Sequence, residues 1–290
     1  MYNFVINTGI KFKMAVFKIC KRFLRSEMFP SCFDITTLIQ LPKKGSQVDL
    51  DNSRFIHLKL WMPRLLEALA VGRMKEEILE AGTRYQIGGC PGQRTQFHLF
   101  VIKSLIAVRT RDGEGCVLTA VDIRNFFDKQ SMVDAMKTLH EAKVKSKWYR
   151  IWYKLNQNTT IQVKTGAGLS ARGLAGPVTG QGGGGAALAS ALNLDRGLDK
   201  YFSGSIYEEC YGRVRLQPLT YVDDIMRGSK DINCLRAGNV KLDCVLRLKQ
   251  LEAHPSKSCY LIFGSEQFKA KAQHECALHC TLCREACHVR

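Results

Sequence analysis

Tyr221-Val222-Asp223-Asp224 places two adjacent carboxylates between apolar runs, with Val214, Leu216 and Leu219 before them and Ile225 and Met226 after. Short apolar runs on either side of a polar pair predict a hairpin over residues 213–226 with the aspartates at its turn. Two like charges at a tight turn repel at close range. A bound hard divalent cation removes that cost, since Mg²⁺ takes carboxylate oxygens and leaves positions open for phosphate. Taken alone, the tetrapeptide reads equally well as a solvated turn.

A second carboxylate changes the weight of the first two. Cys116 to Val121 is a short β-branched apolar run after the glycine-rich turn at residues 111–115, and it stops at Asp122. It predicts a buried strand ending in a carboxylate. Aspartates on two neighbouring strands are what a two-metal phosphoryl-transfer site needs, with the ions about 4 Å apart. Mg²⁺ is the expected cofactor and Mn²⁺ the alternative. The expected catalytic and metal-binding residues are Asp122, Asp223 and Asp224. Little covalent chemistry is asked of the protein at such a site; positioning and charge do the work.

Outward from this pair, helices and strands interleave. Thr36 to Leu41 predicts a strand; residues 58–80 and 96–108 predict helices separated by the bend Gly88-Gly89-Cys90-Pro91-Gly92. Helical stripes recur at residues 129–141, around Trp148 to Leu155, at 186–201 and at 234–252, with strands at 162–164 and 260–263. The order lacks the regular βαβ rhythm of a doubly wound sheet, and the fold class expected is α+β.

The chain has 290 residues and carries 43 Lys and Arg against 26 Asp and Glu, a formal net charge of +17. A field of that sign favours polyanions, nucleic acid before anionic membrane. The 12 cysteines include many placed singly in apolar segments, which fits reduced thiols in an intracellular protein better than a disulfide framework. Residues 1–33 mix apolar with basic side chains and hold neither a signal-peptide core nor a membrane-spanning run, so no membrane partner is expected.

Asp122-Ile123-Arg124-Asn125-Phe126-Phe127-Asp128, a following helix, a Gln-Gly segment and then Tyr221-Val222-Asp223-Asp224 resemble, in order, the palm motifs of reverse transcriptases. The likeness is greatest to the non-LTR (LINE-like) retrotransposon type and spans roughly Asp34 to Ser265. It implies a right-hand polymerase fold, fingers and palm, with an antiparallel palm sheet packed on helices. Residues 1–33 would be a basic N-terminal extension, 34–115 fingers-like, 116–265 palm-like, and 266–290 a Cys-rich tail. The implied activity is RNA-directed DNA polymerisation, extending a primer 3′-hydroxyl on an RNA or DNA template with deoxynucleoside triphosphates.

Carried over residue by residue, the resemblance implies a nucleotide pocket. Lys43, in Leu41-Pro42-Lys43-Lys44-Gly45, and Arg54, in Asn52-Ser53-Arg54-Phe55-Ile56, would meet the incoming triphosphate, guanidinium by bidentate bonds. Phe55 departs from the proline the family has there. Phe127 matches the bulky side chain that crowds the sugar 2′ position; its other reading is a core aromatic. Gln181, in Gly180-Gln181-Gly182, would line the pocket. Lys257, in His254-Pro255-Ser256-Lys257-Ser258, would screen or protonate the leaving pyrophosphate. The Gln86-Ile87-Gly88 bend is similar to the family's Gln-x-Gly segment and reads as a fingers-to-palm turn. Beyond Ser265 the primer grip and thumb of the family are not expected, because only 25 residues remain. Cys276, Cys280, Cys283 and Cys287 there fall on one helical face and match no common zinc spacing. The alternative is therefore a reverse-transcriptase-like domain that binds nucleic acid without extending a primer. Oligomeric state is not encoded in any of these features.

Overall fold

The computed structural model describes residues 7–42, 53–83, 85–90, 92–166, 168–175, 182–183, 185–203, 209–211, 214–278 and 288–289. In chain order the first half comprises α1 (Ile10–Ser26), β1 (Ile35–Pro42), β2 (Ser53–Lys59), α2 (Trp61–Ala81), α3 (Thr95–Arg111) and β3 (Cys116–Val121). There follow the single turn α4 (Phe126–Lys129), α5 (Met132–Glu141), α6 (Ser146–Lys154), β4 (Thr160–Thr165), β5 (Gly168–Leu169) and β6 (Gly173–Leu174). The rest is α7 (Ala186–Phe202), β7 (Glu209–Tyr211), β8 (Val214–Leu216), β9 (Leu219–Tyr221), β10 (Asp224–Ser229), α8 (Ile232–Leu248), β11 (Cys259–Phe263), α9 (Glu266–Leu278) and β12 (His288–Val289). Contacts divide the chain into two compact units, Met1–Ile78 with Ser131–Ala189, and Leu79–Gln130 with Ser190–Arg290.

In the first unit β1 pairs antiparallel with β2 and parallel with β4, so Leu38 lies between His57 and Val163. Val16 and Cys20 of α1 bury against Phe33, Leu66, Ala70, Ile151 and Leu155. The rings of Phe23, Phe29 and Phe33 pack together around them, Phe23 edge-on to Phe33 at 5.4 Å. A charged pair sits inside: the Glu67 carboxylate accepts from Lys59 Nζ at 3.4 Å and from Trp152 Nε1 at 3.1 Å. Burial pulls the Lys59 pKa down, and Glu67 pulls it back up. A buried pair of this kind persists only where the remaining polar atoms are bonded, and Asn156, which accepts from Lys59 and donates to Glu67, closes the set.

The second unit is built on a five-stranded sheet in the order β12-β11-β3-β10-β9. The apolar run expected to be a buried strand is its centre: β3 pairs antiparallel with both β10 and β11. Leu194 and Leu198 of α7 and Leu242, Val245 and Leu246 of α8 cover it, enclosing Val121, Phe126 and Ile225. Asp231 caps α8 by accepting from Cys234 N at 2.8 Å. A mixed α+β fold with antiparallel sheets packed on helices is thus what the sequence led one to expect. Two stretches take structure that the sequence reading had not assigned to them. The segment read only as an arginine motif is a seven-residue strand, β2, and residues 266–278 of the Cys-rich tail form a helix.

Candidate active site

Asp122 is the first residue past β3, and Asp224 opens β10. The register Ile225↔Val121 puts these two aspartates opposite each other at one end of the strand pair. Asp122 is held by its backbone: His254 N donates to its carbonyl at 2.8 Å, and its own N–H donates to Ser258 Oγ at 3.3 Å. The same turn carries Lys257, whose Nζ stands 3.4 Å from Asp122 Oδ2. The connection between α8 and β11 therefore returns a cation to the carboxylate that a strand about 136 positions earlier presents.

Partial desolvation raises the pKa of the exposed Asp224, the Asp122 carboxylate raises it further, and Lys257 opposes both. Asp223 lies half-buried in the two-residue turn with Val222. Among the described residues no three His, Cys, Asp or Glu side chains converge closely enough to form a closed metal cage. The structure thus brings Asp122, Asp224 and Lys257 together and leaves Asp223 on the adjoining turn.

These three line an open cleft of about 280 Å³, with Tyr221 on the same wall. Thr95, His98, Leu99 and Ile102 of α3 also line it. None of the four was singled out from the sequence, although their three- and four-residue spacing marks one helical face. His98 is buried, and burial lowers its pKa while the Tyr85 backbone opposes that in part; its Nε2 has no hydrogen-bond partner among the described residues.

The other expected positions are distributed differently. Phe127 packs half-buried against the core, 5.3 Å from the Phe126 ring, and is not among the described residues lining the cleft. Arg54 is exposed on β2, across from Leu41. Lys43 and Gln181 lie outside the described residues, as do Cys280, Cys283 and Cys287 of the tail. Close to Gln181 in sequence, two glycines have a structural reason: a Cβ on Gly185 would stand 2.6 Å from Trp152 Nε1, and Gly182 has φ +102.

No family model matches the sequence, and no curated protein matches it. Solved structures do match. Telomerase from Candida tropicalis in complex with a TWJ fragment of telomeric RNA aligns with TM-score 0.61 and 10% identity over 84% of this chain and 44% of that one. The corresponding complex from Candida albicans aligns with TM-score 0.56 and 12% identity over 82% and 43%. Apo telomerase from Candida tropicalis, truncated from the C-terminal domain, gives TM-score 0.55 and 12% identity over 82% and 52%. The chain spans about half the length of these neighbours or less. What this likeness establishes is the fold: a reverse-transcriptase-like, palm-and-fingers arrangement of mixed α+β structure.

Proposed function

We propose that the chain is an RNA-directed DNA polymerase of the non-LTR retrotransposon type, with Asp122, Asp223 and Asp224 as its metal-binding carboxylates. The observation that carries this reading is the opposition of Asp122 and Asp224 across β3 and β10, with Lys257 at the same cleft. The donor set fits Mg²⁺, or Mn²⁺ in its place. Two facing carboxylates, one with its pKa raised by partial desolvation and then by the other's charge, leave most of the coordination shell for water and phosphate oxygens, as Mg²⁺ sites commonly do. Bound there, such ions supply activation of the primer 3′-hydroxyl and neutralisation of the departing pyrophosphate.

The chain's own residues do the rest. Lys257 exchanges its pairing with Asp122 for the pyrophosphate oxygens. Arg54 and Lys43 hold the triphosphate, Gln181 lines the nucleotide pocket, and Phe127 excludes a 2′-hydroxyl so that the product is DNA. In this reading residues 34–115 serve as fingers and 116–265 as palm. A template–primer partner is supported by the basic charge of +17 and by the RNA bound to two of the structural neighbours.

A second reading has its own observation. The lack of a closed three-ligand group among the described residues suits a domain that binds nucleic acid without extending a primer. Primer extension on an RNA template with Mg²⁺ and deoxynucleotides separates the two. Wild type should extend, and Asp224→Asn and Asp223→Asn should each lose about a hundredfold or more, the scale of removing a group that stabilises transition-state charge. Intact nucleic-acid binding with no extension by wild type would establish the binding-only domain instead.

A further inference from the structure

The Gln86-Ile87-Gly88 bend, read from the sequence as a simple turn, is built onto the aspartate hairpin. Its backbone runs parallel to β9: Ile87 N donates to Thr220 O at 3.1 Å, and Thr220 N donates to Tyr85 O at 2.9 Å. The buried Gln86 side chain then reaches past β9 to the turn. Its Oε1 accepts from Val222 N at 3.0 Å and from Gly88 N at 2.9 Å, and its Nε2 donates to Val222 O at 3.4 Å. One amide therefore grips both backbone polar groups of the residue just before Asp223.

That residue needs holding. Val222 has φ +60, a left-handed conformation that is a real outlier for a β-branched side chain. Such conformations persist where the surroundings over-determine them. Gly88 supplies the second restraint. A Cβ there would stand 2.3 Å from Val222 N and 2.9 Å from the Tyr221 carbonyl carbon, so only glycine lets the bend close onto the turn.

We infer that Gln86 is a positioning residue: it holds the Val222-Asp223 turn in its left-handed geometry and so fixes where the Asp223 and Asp224 carboxylates stand. This rests on the polymerase reading for its consequence in catalysis, but not for the clamp itself. With Gln86 removed, the Val222 amide has no acceptor, the turn relaxes toward an ordinary β-branched conformation, and the carboxylates leave the cleft geometry.

The test uses the full chain and the variants Gln86→Leu, Gly88→Ala, Val222→Gly and the double variant Gln86→Leu/Val222→Gly. Gln86→Leu should speed hydrogen exchange at the Val222 and Gly88 amides by about tenfold or more, as loss of a buried acceptor implies. It should lower primer-extension kcat by about tenfold or more with the deoxynucleotide KM held within about threefold, the signature of lost transition-state geometry. Gly88→Ala should move both readouts the same way. Glycine adopts the left-handed conformation freely, so in the Val222→Gly background the Gln86→Leu effect on kcat should shrink to within about threefold. An unchanged exchange rate in Gln86→Leu, or an undiminished kcat effect in the Val222→Gly background, overturns the inference. A wild type that extends no primer sinks the polymerase reading instead. The clamp is then decided by exchange and by Mn²⁺ affinity, expected to be about tenfold weaker in Gln86→Leu.

Discussion

The ionised form of Asp224 is disfavoured by partial desolvation and by the Asp122 carboxylate opposite it, and favoured by Lys257. The net shift is upward, so between the ordinary aspartate pKa and the raised one the folded chain holds more protons than the unfolded chain. Stability therefore falls as pH rises through that window, and above it the charged carboxylate is a standing destabilisation. Asp224→Asn should raise stability, and with it the Tm, at pH 7, by only about half a kcal/mol of free energy because the residue is exposed to solvent. The advantage should vanish once the pH drops below the ordinary aspartate range. Millimolar Mg²⁺ should stabilise wild type more than the variant, since only a cation bound by the folded carboxylates raises stability. Thermal melts across pH, with and without Mg²⁺, check both; a variant no more stable than wild type at pH 7 contradicts the electrostatic argument. Asp122 and Asp224 were legible in the sequence because each adjoins a strand that the apolar pattern marks, whereas Lys257 was legible only through the family resemblance. Gln86 was not, because its partner Val222 is 136 positions away and nothing in either local pattern announces a side-chain-to-backbone bond.

β10 and α8 are joined by a polar contact rather than by apolar packing alone. The Arg227 guanidinium of β10 donates to the carbonyls of Cys234 and Leu235 and to Asn239 Oδ1 on α8, at 3.0–3.3 Å. Asn239 Nδ2 in turn donates to the Tyr260 hydroxyl of β11 at 2.8 Å. Gly238 makes room for this, since a Cβ there would fall 2.1 Å from Arg227 Nη1. Gly238→Ala should therefore displace a buried arginine and cost about 3 kcal/mol, the scale of breaking a buried charged network, despite alanine's better helix propensity. Urea unfolding measures it, and a variant as stable as wild type would show that the guanidinium has another resting place. Elements were legible where periodicity was clean, as for β3, α7 and α8. The sequence placed the hairpin at 213–226, whereas its strands are Leu219–Tyr221 and Asp224–Ser229, because the pairing partner that fixes the register is β3 and not the preceding run. β2 escaped notice because, among the described residues, it is an edge strand paired with β1 alone, leaving no buried apolar run to mark it.

Across the whole chain, positive charge is the property that most shapes what the surface can bind. An excess of 17 positive charges is electrostatically unfavourable to compaction and favourable to any polyanion that spreads along the surface. On α1 the excess is undiluted: Lys11, Lys13, Lys18, Lys21, Arg22 and Arg25 face no acidic residue within the helix, while Val16 and Cys20 anchor its other side in the core. Binding through such a surface releases counterions from the phosphates it neutralises. A chain that covers six to ten phosphates should lose about 10³- to 10⁵-fold in affinity for duplex nucleic acid between 50 and 200 mM salt. Replacing Lys18, Lys21, Arg22 and Arg25 together by Gln should reduce the slope of log affinity against log salt by up to about four units if each meets one phosphate. Titration of a labelled RNA–DNA duplex at several salt concentrations reads both quantities. Affinity that held steady across the salt range would mean that the charge is spread too thinly to form a binding surface. A steep slope left unchanged in the fourfold variant would move the phosphate contacts off α1 to other basic positions of the chain.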